Sequence, residues 1–312
     1  MRILRRVLGL LVALVVSSVL VFAFMQILPG DPARVALGLN ASEESVARLR
    51  AEFGLDRPLH TRYLDWIGGL LTGDFGTSYL SHLPIGPQIA DRFGVTAWLV
   101  AAAMIVAVVL AVPLGTIAAW RHRHPIGAVL SAVSQVGMAI PSFLAGVLLI
   151  AVFAVRLRLL PAGGWTPPSV DVVAFLRSLV LPALALGLVQ AAVLTRYVRS
   201  AILDVLREDY LRTARAKGFR PLPALVHHGL RNASIPVVTV LALQLTTMLV
   251  GAVVVERVFV VPGLGSLLLD AVASRDLLVV QDVVMVLVVS VLTVNLLVEV
   301  LYAVLDPRSV RR

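Results

Sequence analysis

Six stretches of this chain, residues 7–28, 95–120, 126–155, 179–197, 235–255 and 283–305, are almost unbroken apolar sequence with few or no charges. About 20 such residues in a helix cross the roughly 30 Å hydrocarbon core of a bilayer. Inside that core every backbone N–H and C=O must be paired within the protein, which a helix does by itself. The pattern predicts an all-α polytopic membrane protein with six transmembrane helices. Composition agrees, since 59% of residues are hydrophobic and 14% charged, against about half and a quarter in soluble domains. The runs 95–120 and 126–155 exceed the need and are expected to tilt or to be trimmed at their ends. Arg2, Arg5 and Arg6 ahead of the first run look like the basic start of a secretory signal. That run is too long for the apolar part of a signal and lacks an A-x-A cleavage site, so it is read as an uncleaved first span.

The formal net charge of +9 is explained by where the cations lie. The N-terminus, residues 121–125, residues 198–234 and the C-terminal tail are arginine-rich, from Arg5, Arg121 and Arg123 to Arg308, Arg311 and Arg312. Cytoplasmic loops carry such an excess, so these segments, with both termini, are expected to be cytoplasmic. Segment 29–94 lies opposite; there eight carboxylates, Asp31 to Asp91, outnumber Arg34, Arg48, Arg50, Arg57, Arg62 and Arg92. Trp98, Trp120, Tyr197 and Tyr302 fall near span ends, where interfacial aromatics belong. The organisation expected is an N-terminal transmembrane helix (1–28), an extracytoplasmic segment (29–94) and a five-helix core (95–312) containing the cytoplasmic loop 198–234. The positive charge is then a topology signal, and no nucleic-acid partner is expected.

Several chemistries are missing. There is no cysteine, which removes disulfides, thiolate metal sites and cysteine nucleophiles. The only lysine, Lys217, follows Ala216, so the chain has no G-x-x-x-x-G-K-S/T phosphate loop. The six histidines, His60, His82, His122, His124, His227 and His228, all lie in connecting segments and form no H-E-x-x-H. The pairs His122/His124 and His227/His228 lack a third ligand at helical spacing and are read as parts of solvated basic loops, with no metal site. Proton-coupled carriers place carboxylates within spans; here only Asp282, at a span edge, and Glu299 qualify, and Glu299 is read as snorkelling or pairing with Arg308. Polar side chains within the apolar runs, Ser134, Gln135, Gln190, Gln244, Thr246, Thr247 and Asn295, are candidates for a translocation path, because such groups avoid lipid. Hydrogen bonds between helices account for them equally well.

The longest basic loop predicts a helix, a turn and a helix. Up to Lys217 it has good helix formers without Gly or Pro, and Glu208 and Arg212 stand four residues apart, where they support a helix. Gly218 suits a helix C-terminus, Pro221 and Pro223 stop simple continuation, and a second short helix is expected from 222 to about 231. Thr213, Ala214 and Ala216 leave a small-residue surface near the turn that another protein can approach closely.

The run from Arg212 to Pro236 resembles the E-A-A-x-x-x-G loop of permease subunits in binding-protein-dependent ABC importers. Arg212, Thr213, Ala214 and Gly218 occupy its four signature positions, with Arg replacing Glu and Thr replacing the first Ala. The wording YLRTARAKG followed by HGLRNASIP is similar to the dipeptide and oligopeptide permease subgroup. LPGDP (28–32), GLDRPLHTRYLDWIGGLLTGDFGTS (54–78), IPSF (140–143), LPAGGW (160–165), PGLG (262–265) and LDPR (305–308) resemble that subgroup in the same order, over nearly the whole chain.

The resemblance implies a type I ABC importer permease architecture with an extracytoplasmic insertion after the first helix, in a bacterial inner (plasma) membrane. It implies an ATPase-coupling loop around Glu208, Tyr210, Arg212, Thr213, Ala214, Arg215, Ala216, Lys217, Gly218, His228, Arg231 and Asn232. Partners would be a second homologous permease subunit, two ATPase subunits or domains, and an extracytoplasmic substrate-binding protein, besides the lipid bilayer. The chain would be no enzyme and bind no cofactor of its own, ATP and Mg residing on the ATPase partners. The cargo implied is a di- or oligopeptide, with nickel or another small solute as the alternative for the same importer type. A self-sufficient secondary transporter or channel is the alternative from another class; internal repeats and several midplane carboxylates would favour it, and the sequence shows neither.

Overall fold

The structure is a computed structural model, and it describes residues 2–27, 30–38, 41–209, 213, 216 and 230–305. Its elements are helices: α1 (Arg2–Ile27), α2 (Pro32–Leu37), α3 (Glu43–Glu52), α4 (Leu59–Thr72), α5 (Ile85–Trp120), α6 (Pro125–Ala139), α7 (Ser142–Leu149), α8 (Val172–Leu206), α9 (Leu230–Val258), α10 (Leu264–Ser274) and α11 (Leu277–Leu305). No strand occurs among the described residues; Thr77 and Pro84 form one isolated bridge. The chain divides into two compact units, Met1–Thr96 with Pro262–Leu296, and Ala97–Val261 with Leu297–Arg312.

Among the described residues, five helices are long and apolar enough to cross a membrane: Arg5–Ile27, Ile85–Trp120, Val172–Leu206, Pro236–Val258 and Leu277–Val298. The remaining apolar run, expected as one span over 126–155, is a broken pair instead, α6 followed by α7 with a bend of 100°. Pro141 explains the break. It lacks an N–H for the helix ladder and pushes the residue before it out of the helical region, and Ile140 is extended at φ −84, ψ 120. At 1.5 Å per residue, the 15 residues of α6 reach about 22 Å, short of a full crossing. After α7 the chain loosens into a π-helical turn, Ile150–Arg156. The six-span expectation is thus met by five continuous helices and one interrupted one. Segment 29–94 carries three short helices, α2 to α4, with caps at Asp31 and Ser42.

In the second unit α8 is the central element, with buried residues from Phe175 to Val205. Glycines let its neighbours approach. A Cβ at Gly187 of α8 would lie 2.7 Å from the Ala103 carbonyl of α5, and one at Gly115 of α5 would lie 2.7 Å from Val198 of α8. The two pairings advance together along both helices, so α5 and α8 run side by side in the same direction. Leu194, Val198, Ile202 and Val205 of α8 then pack with Ala111 and Ala119. Between apolar helices in lipid, attraction comes from close van der Waals packing, which small residues permit. Gly137 of α6 meets Ala192 of α8 in the same way, at 2.8 Å from an added Cβ.

In the first unit the core consists of Met25 of α1, Ile85 and Ile89 of α5, Leu264, Leu267 and Ala271 of α10, and Val279, Val280 and Val283 of α11. The Thr96 hydroxyl accepts a hydrogen bond from the Leu264 amide at 2.8 Å, which satisfies one of the free N–H groups that open α10.

Gly187→Leu is expected to force α5 and α8 apart and to cost about 1–3 kcal/mol of stability, the usual range for overpacking. A lowered thermal midpoint in detergent would show it. Gly9→Leu is the control, since a Cβ there meets nothing within 4 Å; equal midpoints for the two variants would refute the packing argument.

Candidate functional site

Three of the polar residues singled out in the apolar runs come together in the second unit. Gln244 on α9 donates from Nε2 to the Gln190 carbonyl of α8 at 3.1 Å. Gln190 Nε2 points to Thr247 Oγ1 at 3.4 Å, a long contact, and Thr247 Oγ1 donates to the Gln244 carbonyl at 2.9 Å. Gln244 is buried, Gln190 half-buried and Thr247 exposed, so the cluster opens from the helix contact onto an accessible face. Gln244 Oε1 has no hydrogen-bond partner among the described residues. An unmatched amide oxygen is costly in an apolar setting, and the arrangement consists of neutral donors and acceptors.

The broken span meets α8 at the same level but on another face, since residues two apart on a helix point to different sides. Gly137, three residues before Ile140, abuts Ala192, two residues beyond Gln190. Non-helical backbone at membrane depth is tolerated where protein covers it or where it lines a water-filled cavity. Gln135 is exposed one turn before the break. Ser134 is buried, and its hydroxyl donates to the Ser131 carbonyl of its own helix at 2.9 Å, a structural use. Thr246 is half-buried on α9 in the second unit, and Asn295 is half-buried on α11 in the first unit.

The expected ATPase-coupling residues are placed only in part. Glu208 is exposed just past the end of α8, and Thr213 and Ala216 are helical and exposed, with Thr213 Oγ1 donating to the Asp209 carbonyl at 3.0 Å. Tyr210, Arg212, Ala214, Arg215, Lys217, Gly218 and His228 lie outside the described residues, as does the expected turn. Arg231 and Asn232 are in the first turn of α9, their side chains not among those described. The same holds for the Glu299 side chain. His122 is exposed and its Nδ1 lies 2.9 Å from the Ala119 carbonyl. No group of three His, Asp or Glu able to hold a metal occurs among the described residues.

A second constellation, in the first unit, was not recognisable from the sequence. Trp66 Nε1 on α4 donates to Asp282 Oδ1 at 2.8 Å, joining residues 216 positions apart. Asp282 is fully buried near the start of α11, and its other oxygen has no partner among the described residues. Ser78 donates to the buried Asp276 at the α10–α11 junction and accepts from the amides of Leu80 and Ser81. Gly76, at φ +70 and with room for a Cβ only at 3.4 Å from Leu278, lets the GDFGTS turn reach that junction. On its other side α4 rests on α1. Phe22 packs edge-on against Tyr63 and stacks on Trp66, and the Ser18 and Tyr63 hydroxyls are 2.9 Å apart. In LPGDP, Asp31 caps α2 and pairs with Arg50 at 2.9 Å, while Asp56 takes the other side of that guanidinium. Hydrogen bonds to Asp31 and then to Asp56 hold Arg50 above its ordinary pKa. A periodicity search misses all of this, because the partners are joined by folding and not by spacing.

The long apolar helices and the broken pair are those of a multi-pass membrane protein. Its family follows from sequence comparison. Residues 111–311 match the binding-protein-dependent transport system inner membrane component, and residues 1–100 match the N-terminal region of such membrane components. The chain belongs to this family: it is an inner-membrane permease of the binding-protein-dependent ABC importer class. It is similar to the glutathione transport system permease protein GsiC of Salmonella typhimurium, with 44% identity over 311 residues, 98% of this chain and 97% of that one. GsiC of Escherichia coli strain K12 is 42% identical over 309 residues, with the same coverage.

Removing the indole donor by Trp66→Phe leaves Asp282 buried with neither oxygen matched, which should cost about 1–3 kcal/mol. Adding Asp282→Leu to it should restore part of the loss, as a thermal double-mutant cycle would register. Simple additivity of the two changes would mean that the bond contributes nothing.

Proposed function

We propose that this chain is one of two permease subunits of an ATP-driven importer for small peptides, with glutathione the first cargo to test. The observation that carries the reading is the nearly end-to-end similarity to glutathione permeases, at 44% identity. The neutral Gln190–Gln244–Thr247 cluster supports it. Amide and hydroxyl groups exchange hydrogen bonds with a peptide backbone without the strong attraction that would hold a charged solute in place. Transport needs such a surface to be left as readily as it is entered.

In this reading both termini and loop 198–234 are cytoplasmic, as the arginine distribution favours, and 29–94 lies outside, where a substrate-binding protein delivers the cargo. A homologous permease completes the path. Two ATPase subunits carry ATP and Mg and receive the loop around Gly218. ATP-driven closure of that pair then favours one of two arrangements of the spans through contacts at the loop, which is how a ligand shifts a conformational equilibrium.

The test is purification from the native membrane followed by reconstitution in liposomes. Co-purification of a second permease and P-loop subunits, with ATP-dependent uptake of labelled glutathione or a dipeptide, is expected. Solute movement by this chain alone, independent of ATP, would overturn the proposal and establish a secondary carrier. In the reconstituted complex Gly218→Trp should lower uptake at least about tenfold, within the usual span of coupling energies, while assembly and ATP hydrolysis persist. Uptake at the normal rate in that variant would remove the loop from the mechanism.

A further inference from the structure

The segment between the π-helical turn and α8, wholly within the second unit, forms an open groove of about 710 Å3. Arg158, Trp165, Thr166, Asp171, Arg177 and Ser178 line it, and Arg156, two residues before Arg158 in the chain, is exposed. The groove is built firmly. The Gly164 amide donates to the Phe259 carbonyl at 2.8 Å, and the Leu159 amide to the Phe153 carbonyl at 2.9 Å. Gly163 leaves no room for a Cβ against that same Phe259 carbonyl. One nitrogen of Arg177 donates to the Leu159 carbonyl at 3.1 Å.

Its charge is unbalanced. Arg156, Arg158 and Arg177 make no ion pair among the described residues. The one carboxylate in the lining, Asp171, is turned to the amides of Val173 and Ala174 as the cap of α8. The groove therefore suits an anion. Trp165 of the lining and Trp98 both pack edge-on against the buried Phe175, at ring separations of 5.2 and 5.5 Å, and tryptophan is enriched at the level of lipid headgroups. Around the arginines the surface is apolar and bare: Val155, Leu159, Val173 and Leu176 are each more than half exposed. An occupant must then carry a negative group for the guanidinium forks and hydrocarbon for its surroundings.

We propose that this groove binds the headgroup of an anionic phospholipid, the phosphate meeting Arg156, Arg158 and Arg177 and the acyl chains running along the exposed face of α8. The site anchors the bent end of the interrupted span at one membrane interface, and it is independent of the cargo carried.

The full chain is reconstituted in phosphatidylcholine vesicles holding a trace of photoreactive phosphatidylglycerol or, separately, photoreactive phosphatidylcholine, and the cross-links are mapped to peptides. Peptides from 155–178 should take up the anionic probe at least about tenfold more than the neutral one, as three arginines at a charged surface can provide. Arg156→Gln, Arg158→Gln and Arg177→Gln combined should abolish that preference, and lysine at the same three positions should restore much of it. Equal labelling of wild type by both probes would overturn the proposal, a result that needs no variant to fold. Unchanged labelling of the glutamine variant would do so too. If that variant labelled normally but lost affinity for the complex's substrate-binding protein, the groove would belong to an acidic protein surface instead.

Discussion

The demand that every backbone polar group be satisfied away from water governs this molecule. It makes each apolar run helical and removes sheets and open edges from the repertoire. It also makes any interruption meaningful. Ile140 and Pro141 break a helix in the middle of an apolar run, where an ordinary span would continue. Protein or a wet cavity must attend to the carbonyls freed there, and the contact of Gly137 with Ala192 brings α8 up to the break. The polar cluster of α8 and α9 is built on another face of α8, from Gln190, Gln244 and Thr247.

Close packing is the complementary requirement. Lipid gives apolar helices no hydrophobic reason to associate, so shape decides. Gly115 and Gly187 are exchanged between α5 and α8, each opening a notch for the other helix. The first unit relies on different means, because part of it consists of polar segments. There Trp66, Ser78, Asp31 and Arg50 connect short helices through directional hydrogen bonds. Motif residues that look like ordinary turn signals, such as GDFGTS and LPGDP, turn out to be attachment points: Ser78 to Asp276, and Asp31 to both the α2 amides and Arg50.

Gln190, Gln244 and Thr247 carry no charge and are joined by hydrogen bonds of ordinary or long length. Ser134, bonded to its own helix, shows that a polar side chain within a span is not by that fact part of a path.

Hydropathy read along the chain determined the helical class, the number of apolar crossings and their approximate limits, since burial in lipid depends on composition summed over about 20 neighbouring residues. The order of motifs determined the family, because a permease loop and its companions are local words. Pro141 was visible as a helix breaker, yet the size of the bend, 100°, depends on how α6 and α7 pack against α8. Which polar residues meet, and that Trp66 should find Asp282, were decided by tertiary structure alone. These contacts link residues up to 216 positions apart, and no local sum of propensities contains the relative placement of two helices.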